Sequence, residues 1–484
     1  MASRISSGSA DSATEHFRYE TVIDLIKRRI AVGHLRPGDK LPSLRSMAAE
    51  TGFSIITVHR AYELLESQGI CLAKERSGFF VNSAAALPAP SVKEIPAEPL
   101  RIIGMSEAVL RYWNQRHAGM FGAFIPDKRL FRRDLLDKLH RSAIRSGSNH
   151  SEFGQPPGER KLQFQVAKRA AQRRIFVSPD QVVITRSGTS GLNLCLDLVT
   201  SPGDTVLVES PAYFPMLSSL HRRHLRVVEI YSSNVTGIDC GHFRYLVEQS
   251  RPSACILTVA NRFPTGISYP DVALKELVKI ATDFGSKIIE NDMFSELSYA
   301  GGQRSLKEYD MNDTVIQFSS FANFVAPEYG LGWVIGGKHA EELKAVQFAN
   351  GLQGVDAAMQ KAIADYLDGF SNDRQVRRIT KTLQGRMDEG LKLVREHFPE
   401  KTRVSAPHGG YMCWVRLPKH ISATQLFDRP AVKTASFLPG EMFSVAAGYS
   451  NYIAMNFSGE WTAARIRAIA DLGGVVRGLV PPAG

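Results

Sequence analysis

The sequence predicts two joined folding units: a small winged helix-turn-helix, and a larger α/β domain with a mainly parallel sheet and a smaller C-terminal α+β lobe. Three observations predict this fold class. Three short helical patterns and then two strand patterns follow one another within residues 16–83. Residues 84–105 are dense in Ala and Pro, as a linker is. From residue 106 to residue 484, strand and helix patterns alternate.

Composition agrees with a globular protein of more than one domain and excludes several other classes. The chain has 484 residues, of which 44% are hydrophobic and 22% charged, so a wholly disordered chain is excluded. Its net charge of +11 is compatible with a nucleic-acid partner without requiring one. The five cysteines are scattered without paired or metal-type spacing, so we expect neither a disulfide framework nor a metal site. With no apolar run of membrane-spanning length and no apolar signal-peptide core, we expect a cytoplasmic protein.

The N-terminal elements follow from apolar spacing and capping residues. Residues 1–15 are rich in Ser, Ala and Gly and are expected to form a disordered tail, and apolar residues at helical spacing predict a first helix over 17–32. Ser43 can cap a second helix that ends at Gly52, and Ser54 can cap a third that ends at Gly69. Residues 70–73 and 78–81 are expected to form two strands around a charged turn. Three helices and a hairpin make a winged helix.

The third helix carries polar groups at its start that suit a major groove. Helix-start amides and short hydroxyl groups fit phosphates, while Arg45 and Arg60 can present two donors to a guanine edge. The segment LPSLRSMAAETGFSIITVHRAYELLESQGICLAKERSGFFV, residues 41–81, resembles the winged helix-turn-helix of GntR-type regulators, which implies a double-stranded DNA operator as partner. Ile55 departs from the many relatives with Arg there, which removes one contact. The residues expected to contact DNA are Lys40, Ser43, Arg45, Ser54, Thr57, His59, Arg60, Arg76 and Gly78.

An alternative interpretation makes the same helices a small packing domain with solvated arginines. Residues 1–83 contain 11 Lys and Arg against 9 Asp and Glu, so net charge does not decide between the two. The order of the elements, the turn residues and the wing all agree with DNA binding, and this consistency favours it.

The second unit is predicted from its strand patterns. We expect strands at residues 181–185, 205–209, 254–258, 287–290, 315–318 and 332–335, and a smaller lobe from about residue 355. The segments ITRSGTSGLNL (184–194), VESPAYFP (208–215), ANRFPTG (260–266), IIENDMFSEL (288–297), SSFANFVAPEYGLGWVIGGKH (319–339), PGEMFS (439–444) and YIAMNFS (452–458) resemble fold-type I pyridoxal-phosphate aminotransferases. Behind a GntR-type module, this domain is similar to that of the MocR subfamily.

The resemblance implies a cofactor site whose chemistry has been lost. Asn323 stands where the family has the lysine that bonds the cofactor aldehyde, and an amide is neither a nucleophile nor a base. Asn291 aligns with the aspartate that holds the pyridine nitrogen protonated, and Phe294 with the tyrosine that donates to the phenolic oxygen. Asp292 could replace that aspartate only in a shifted alignment. The phosphate-binding serine and arginine and the substrate-binding arginine fall at Ala322, Gly330 and Ala454.

Some groups of a vestigial cofactor pocket remain in the sequence. Ser187, Gly188 and Thr189 follow a strand and start a helix, where backbone N–H groups can bind an anion, although such residues equally serve as caps. The resemblance places Ser319 and Ser320 nearby and Tyr213 in the pocket, either stacking on a ring or as plain wall. Arg186 and Arg262 are unexpected in these motifs; they either bind an acidic ligand or are solvated surface arginines, and the second alternative is favoured.

Three hypotheses about function follow. The first is a DNA-binding homodimeric regulator, not an enzyme, whose large domain pairs two copies and binds a small-molecule effector without a covalent bond. The second keeps pyridoxal phosphate, as an active aminotransferase or a regulator that responds to the cofactor; covalent cofactor is not expected with Asn323, while non-covalent binding is left open. The third makes the large domain a pure dimerisation scaffold.

Overall fold

A computed structural model describes residues 22–23, 25–27, 29–30, 35, 38–67, 70–74, 77–81, 121–146, 158–233, 237–302, 304–350, 355–369, 372–446 and 448–480. The chain divides into two compact units, Met1–Glu94 and Ile95–Gly484. The predicted tail at 1–15 and the predicted linker at 84–105 lie outside the described residues, so both stay predictions.

The first unit contains the predicted helices and hairpin. The described residues between 22 and 30 are helical, and two further helices and two strands follow: α2 (Leu44–Thr51), α3 (Ile55–Ser67), β1 (Cys71–Lys74) and β2 (Gly78–Val81). The caps confirm the predictions: the Ser46 N–H donates to Ser43 Oγ at 3.1 Å, and Gly52 ends α2 with a φ of 70°. The strands pair in antiparallel register from Cys71 with Val81 to Lys74 with Gly78.

The core of this unit is formed by one side of each helix and the inner face of the hairpin. Ile26, Met47, Leu65 and Cys71 are fully buried, and Val81 is 2% exposed. Because these residues come from every element of the unit, the helices and the hairpin share one core.

The second unit contains a mixed eight-stranded sheet. Its strands are β3 (Val182–Thr185), β4 (Thr205–Ser210), β5 (Arg226–Ser233), β6 (Gly237–Ile238), β7 (Ala254–Leu257), β8 (Lys287–Asn291), β9 (Val315–Ser320) and β10 (Gly332–Ile335). They lie in the order β3-β10-β9-β8-β7-β4-β5-β6, and only β10 and β6 run against the other six. The six predicted strands are confirmed to within two residues, whereas β5 and β6 were not predicted.

Helices and a smaller sheet complete the second unit. The helices that follow in the chain are α4 (Arg133–Arg145), α5 (Arg160–Gln172), α6 (Gly188–Val199), α7 (Phe214–Arg222), α8 (Cys240–Ser250), α9 (Asp271–Asp283), α10 (Ala340–Ala349), α11 (Ala357–Asp368), α12 (Asn372–His397), α13 (Ala423–Phe427) and α14 (Ala463–Gly478). The smaller sheet is antiparallel, in the order β11 (Arg403–Val404), β12 (Met412–Arg416), β14 (Tyr452–Asn456) and β13 (Leu438–Pro439). Among the helices in the described ranges, none is long and apolar enough to cross a membrane.

The direction of the strands positions the candidate site of this unit. Because β3, β4, β7, β8 and β9 run the same way, their carboxyl ends lie at one edge of the sheet. The segments that leave these ends carry Ser187, Tyr213, Asn261, Phe294 and Asn323. The fold therefore gathers at one edge residues that are up to 136 positions apart in the sequence, from 187 to 323.

Candidate functional site

The start of α3 is capped by the residue that was predicted to cap it. The Thr57 N–H donates to Ser54 Oγ at 3.1 Å, and the two hydroxyl oxygens lie 2.8 Å apart. Ser54 is exposed, but Thr57 is only 6% exposed. The prediction that Thr57 faces outward with the other polar groups is therefore wrong: its hydroxyl belongs to the helix cap.

Most of the other predicted DNA contacts in the described part of the chain are exposed. Lys40, Ser43, Arg45, His59 and Gly78 all lie on the surface of the first unit. Lys40 lies beside the hairpin, since its Cε is 3.4 Å from where a side chain on Gly78 would begin. The side chain of Arg60 and the whole of Arg76 lie outside the described residues, so their predicted contacts stay predictions.

Strand β2 lies beside helix α3, which carries the predicted DNA contacts His59 and Arg60. The ring of His59 meets the ring of Phe79 edge to face at 6.4 Å, and Tyr62 packs on the same ring at 5.2 Å. Gly78 begins β2 with a φ of +96°, a backbone conformation that residues with a side chain rarely adopt. This position therefore favours glycine. Helix α3 and strand β2 therefore form one continuous surface.

In the second unit, the amide of Asn323 is held by hydrogen bonds on both sides. Its Nδ2 donates to the Met293 carbonyl at 2.9 Å, and its Oδ1 lies 3.2 Å from the Tyr411 hydroxyl, whose single hydrogen is shared between this amide oxygen and the Phe124 carbonyl at 2.7 Å. Burial holds the pKa of Tyr411 well above its usual value, so the hydroxyl stays protonated as a donor. Asn323 is 6% exposed. Its amide therefore has a structural role in closing this edge of the sheet.

Asn291 and Asp292, at the end of β8, serve different neighbours. Asn291 Oδ1 accepts from the Met293 N–H at 3.2 Å, whereas Asp292 pairs with Arg173, which follows α5, at 2.8 Å, and accepts from the Ser295 hydroxyl. Both side chains are buried. The Asp292 carboxylate is therefore already paired within the protein.

Apolar groups fill the space between the strand ends. Phe294 stacks on Phe263 at 5.5 Å between ring centroids, and Tyr213 meets Phe263 edge to face at 5.4 Å. Met293 packs against the cores on both faces of the sheet. Its Sδ lies 2.5 Å from where a side chain on Gly188 would begin, so the thioether lies directly against the Ser187–Gly188 turn. Neither Met293 nor Phe263 was predicted to belong to the site, although both lie inside the motifs that define the family resemblance.

A small cavity adjoins Phe294. Its volume is about 10 Å³, and it is lined by Asn261, Arg262, Phe263, Gly266, Phe294, Gly409, Gly410, Tyr411 and Met412, of which none is a lysine. A space of this size holds at most one water, whereas ligand pockets are typically ~300–1,000 Å³. Outside the lining of this cavity, burial of Tyr213 beside Phe214 and Phe263 raises its pKa to about 12.

The serine hydroxyls of the predicted anion site are engaged with the backbone. Ser187 Oγ accepts from the Ser190 N–H at 3.1 Å and caps α6, while Thr189 is half-buried. Ser319 donates to the Asp292 carbonyl at 3.0 Å, and Ser320 lies 3.1 Å from the Leu331 carbonyl. A hydroxyl has one hydrogen to donate, so Ser319 and Ser320 have none left for a phosphate in this arrangement. The capping interpretation of Ser187 is confirmed.

Gly330 and Ala454, the positions where the sequence analysis expects the family's two arginines, have little room for a long side chain. A side chain on Gly330 would begin 3.0 Å from the Pro327 carbonyl oxygen and 3.2 Å from the Ala322 methyl. Ala454 is fully buried in the smaller sheet, between strands β12 and β13. An arginine at either place would have to displace its neighbours.

Arg262 is a buried structural residue, which corrects both alternatives that the sequence left for it. It is 1% exposed and forms an ion pair with Glu209, and its Nε donates to Thr265 Oγ1 at 3.2 Å. With its charge compensated by Glu209, it is neither a solvated arginine nor a free anion-binding group. Arg186 is exposed, as the favoured alternative predicts. Within the described ranges, no cluster of His, Cys, Asp or Glu could hold a metal ion.

Comparison with known proteins agrees with both units. The sequence pattern of the gntR family of bacterial regulatory proteins matches residues 18–81, and that of aminotransferase class I and II matches residues 131–446. The kynurenine aminotransferase of Pyrococcus horikoshii, solved with PMP, has a TM-score of 0.70 and 20% identity over 78% of this chain and 95% of that chain. The predicted fold class is thereby confirmed: a gntR-type helix-turn-helix unit and a fold-type I aminotransferase fold.

Similar proteins with both units are named as regulators. The uncharacterized HTH-type transcriptional regulator YdcR of Escherichia coli (strain K12) is 30% identical over 95% of this chain and 99% of its own length. YjiR of the same strain, also named as an HTH-type transcriptional regulator, is 27% identical over 91% of this chain and 94% of its own length. The chain therefore belongs to the HTH-type transcriptional regulators that join a gntR-family helix-turn-helix domain to an aminotransferase class I and II domain, an organisation consistent with the MocR subfamily.

Proposed function

We propose that this chain binds a DNA operator as a homodimer and that its aminotransferase-like unit pairs the two copies without catalysing transamination. The loss of catalysis is inferred from Asn323, which stands at the position aligned with the family's lysine. Its amide is buried and hydrogen-bonded to Met293 and Tyr411. An amide forms no Schiff base and moves no proton near neutral pH.

The surrounding residues do not fit pyridoxal phosphate either. Phe294 offers no hydroxyl to a phenolic oxygen, and Asn291 offers no negative charge to a pyridinium. Ser319 and Ser320 donate their hydrogens to backbone carbonyls, and the Met293 thioether lies against the turn that would face the phosphate. Each change removes a different interaction with the cofactor, so restoring one of them would not restore the site.

A trapping experiment tests the loss of covalent chemistry. The purified full chain, given excess pyridoxal phosphate, should show no internal-aldimine absorbance and, after borohydride reduction, no pyridoxyl-lysine in the peptides of the second unit. A fold-type I aminotransferase that keeps its lysine is the positive control, treated in parallel. A stoichiometric adduct on any single lysine of the second unit would contradict the proposal.

The DNA-binding part rests on the exposed surface of α3, β2 and the start of α2. Footprinting on the region upstream of the chain's own gene, with and without pyridoxal phosphate, should show a protected site with two half-sites, because a two-fold dimer presents its helix-turn-helix units in pairs. The cofactor should leave the footprint unchanged. Protection of a single half-site by a monomer would contradict the dimer.

Two variants separate phosphate contacts from background charge. Lys40→Ala should reduce the dependence of log K on log salt by about 0.9 for each phosphate that the lysine neutralises. Arg226→Ala removes an exposed cation of the second unit and is the matched control, so its salt dependence should equal that of the unchanged chain. Equal slopes for all three proteins would show that Lys40 does not bind a DNA phosphate.

Ligand sensing and a pure scaffold are distinguished by thermal shift. A compound that prefers the folded chain raises its unfolding midpoint, and amino acids, vitamers of pyridoxal and phosphates are the panel that the fold suggests. A compound that raises the midpoint and also shifts operator affinity acts as an effector, because it must bind one arrangement of the regulator better than another. A panel without any shift supports the scaffold.

A further inference from the structure

Two adjacent isoleucines at the start of α3 project into solvent. Ile55 is 48% exposed and Ile56 is 77% exposed, although the unit already has a closed core in which Val58, Ala61 and Leu65 are fully buried. Neither isoleucine is needed to complete that core. Leaving two branched apolar side chains in water is unfavourable, so their exposure indicates a surface that becomes covered on binding.

The isoleucines form one end of the surface shared by α3 and the wing. His59 follows Ile55 by four residues and Ile56 by three, so the three side chains share one side of the helix. The His59 ring in turn meets Phe79 of β2, and Lys40 lies beside Gly78, where this strand begins. The apolar pair is thus continuous with polar and cationic groups that suit a nucleic-acid backbone.

We propose that Ile55 and Ile56 read thymine by contacting its C5 methyl group in the major groove. This inference rests on the proposed function, DNA binding through α3. The thymine methyl is the one apolar group that a base pair presents in the major groove, and an aliphatic side chain has no hydrogen bond with which to read any other base edge. Lys40 at the other end of the surface supplies the charge that favours DNA over an apolar protein partner.

The side-chain chemistry suits a selective contact. Isoleucine is branched at Cβ and therefore stiff at χ1, so little conformational freedom is lost when it meets the base. The capped helix start, with the Thr57 N–H bonded to Ser54, holds both side chains in fixed directions. Each thymine methyl that is buried should strengthen binding by about fourfold. The operator is therefore expected to contain one or two thymines in each half-site opposite the start of α3.

Replacing thymine by uracil tests the contact, because this change removes only the methyl group. The full chain is titrated with duplexes of its footprinted operator in which each thymine is replaced by uracil in turn. One or two positions in each half-site should lose about fourfold in affinity. Ile56→Ala or Ile55→Ala should abolish the difference in affinity between thymine and uracil at those positions. The affinities for duplexes substituted at the other thymines should change no more than for the unchanged operator.

Leu72→Ala is the matched control variant, since Leu72 is 44% exposed on β1 of the same unit. This variant should keep every difference in affinity between thymine and uracil. Equal melting temperatures of the three variants would show that each is folded. Specific binding without any uracil-sensitive thymine would overturn the inference and leave the proposed function standing. So would a uracil penalty that persists in both isoleucine variants, or variants that change only the oligomeric state. A chain that protects no DNA at all would overturn the proposed function itself.

Discussion

Replacing Arg262 by methionine should destabilise the second unit by about 3–5 kcal/mol, the cost of leaving one partner of a buried ion pair uncompensated. Arg262 is 1% exposed, and the Glu209 side chain with which it pairs is 4% exposed. Methionine fills the volume of the arginine stem but supplies no charge. Glu209 would keep its hydrogen bonds from the Thr258 N–H and the Tyr269 hydroxyl, but its negative charge would no longer be balanced by the guanidinium.

The loss should extend to the loop that carries the site. The Arg262 Nε–Thr265 bond of 3.2 Å fixes this loop from within, and the Asn261 amide bonds it to the Phe294 carbonyl at 2.8 Å. Loosening the loop should therefore also loosen the packing of Phe263 on Phe294.

Urea unfolding monitored by tryptophan fluorescence isolates the effect, because all four tryptophans of the chain lie in the second unit. Arg244→Met is the matched control: Arg244 pairs with Glu276 at 3.0 Å, but both side chains are about 40% exposed. An exposed pair contributes about 0–1 kcal/mol. Glu209→Gln combined with Arg262→Met should cost less than the sum of the two single changes. If Arg262→Met lowered the free energy of unfolding no more than Arg244→Met does, the conclusion that the buried Arg262–Glu209 ion pair stabilises the second unit would be refuted.

Three further predictions follow from single contacts. Ser54→Ala removes the cap of α3 and should cost about 1 kcal/mol, seen as faster hydrogen exchange at the first amides of that helix; unchanged exchange would contradict the cap. Arg169 outweighs the effect of burial and holds the pKa of Glu296 below its usual value, so the folded form gains stability above the unfolded pKa of ~4.3 and loses it as the pH falls through the folded pKa. Glu296→Gln should therefore cost about 3 kcal/mol near neutral pH and much less at acid pH, and an equal cost at both would refute the pairing. Asn323→Leu leaves the Met293 carbonyl without its donor and should cost about 1–3 kcal/mol in urea unfolding; a neutral effect would show that the amide is not structural.

Local signals predicted much of the fold. Ser43 and Ser54 accept hydrogen bonds from amides three residues further on, and the Gly52 N–H donates to the nearby Ala48 carbonyl, so the limits of α2 and the start of α3 could be read from the sequence. Strand β10 was predicted at its observed bounds because it is a short apolar run between glycines. β5 was missed because its burial alternates weakly, with most of its residues only half-buried or exposed.

The candidate cofactor site could be predicted only in part. The motifs placed Asn291, Phe294 and Asn323 correctly at the carboxyl edge of the sheet, since parallel strands bring such segments together. They did not predict that Met293 would lie against Gly188, because these residues are 105 positions apart and their approach depends on how the strands pack.

The sequence by itself determined the order of the elements, the caps of α2 and α3 and the presence of an amide side chain at position 323, because each depends on residue type or on near neighbours. Only the tertiary structure decided which polar groups remain free. Thr57 turned inward to its cap, Arg262 found Glu209 across 53 positions, and Ser319 and Ser320 bonded to the backbone. A buried polar group must find a partner wherever the fold supplies one, and for Arg262 and Ser319 that partner is distant in the sequence.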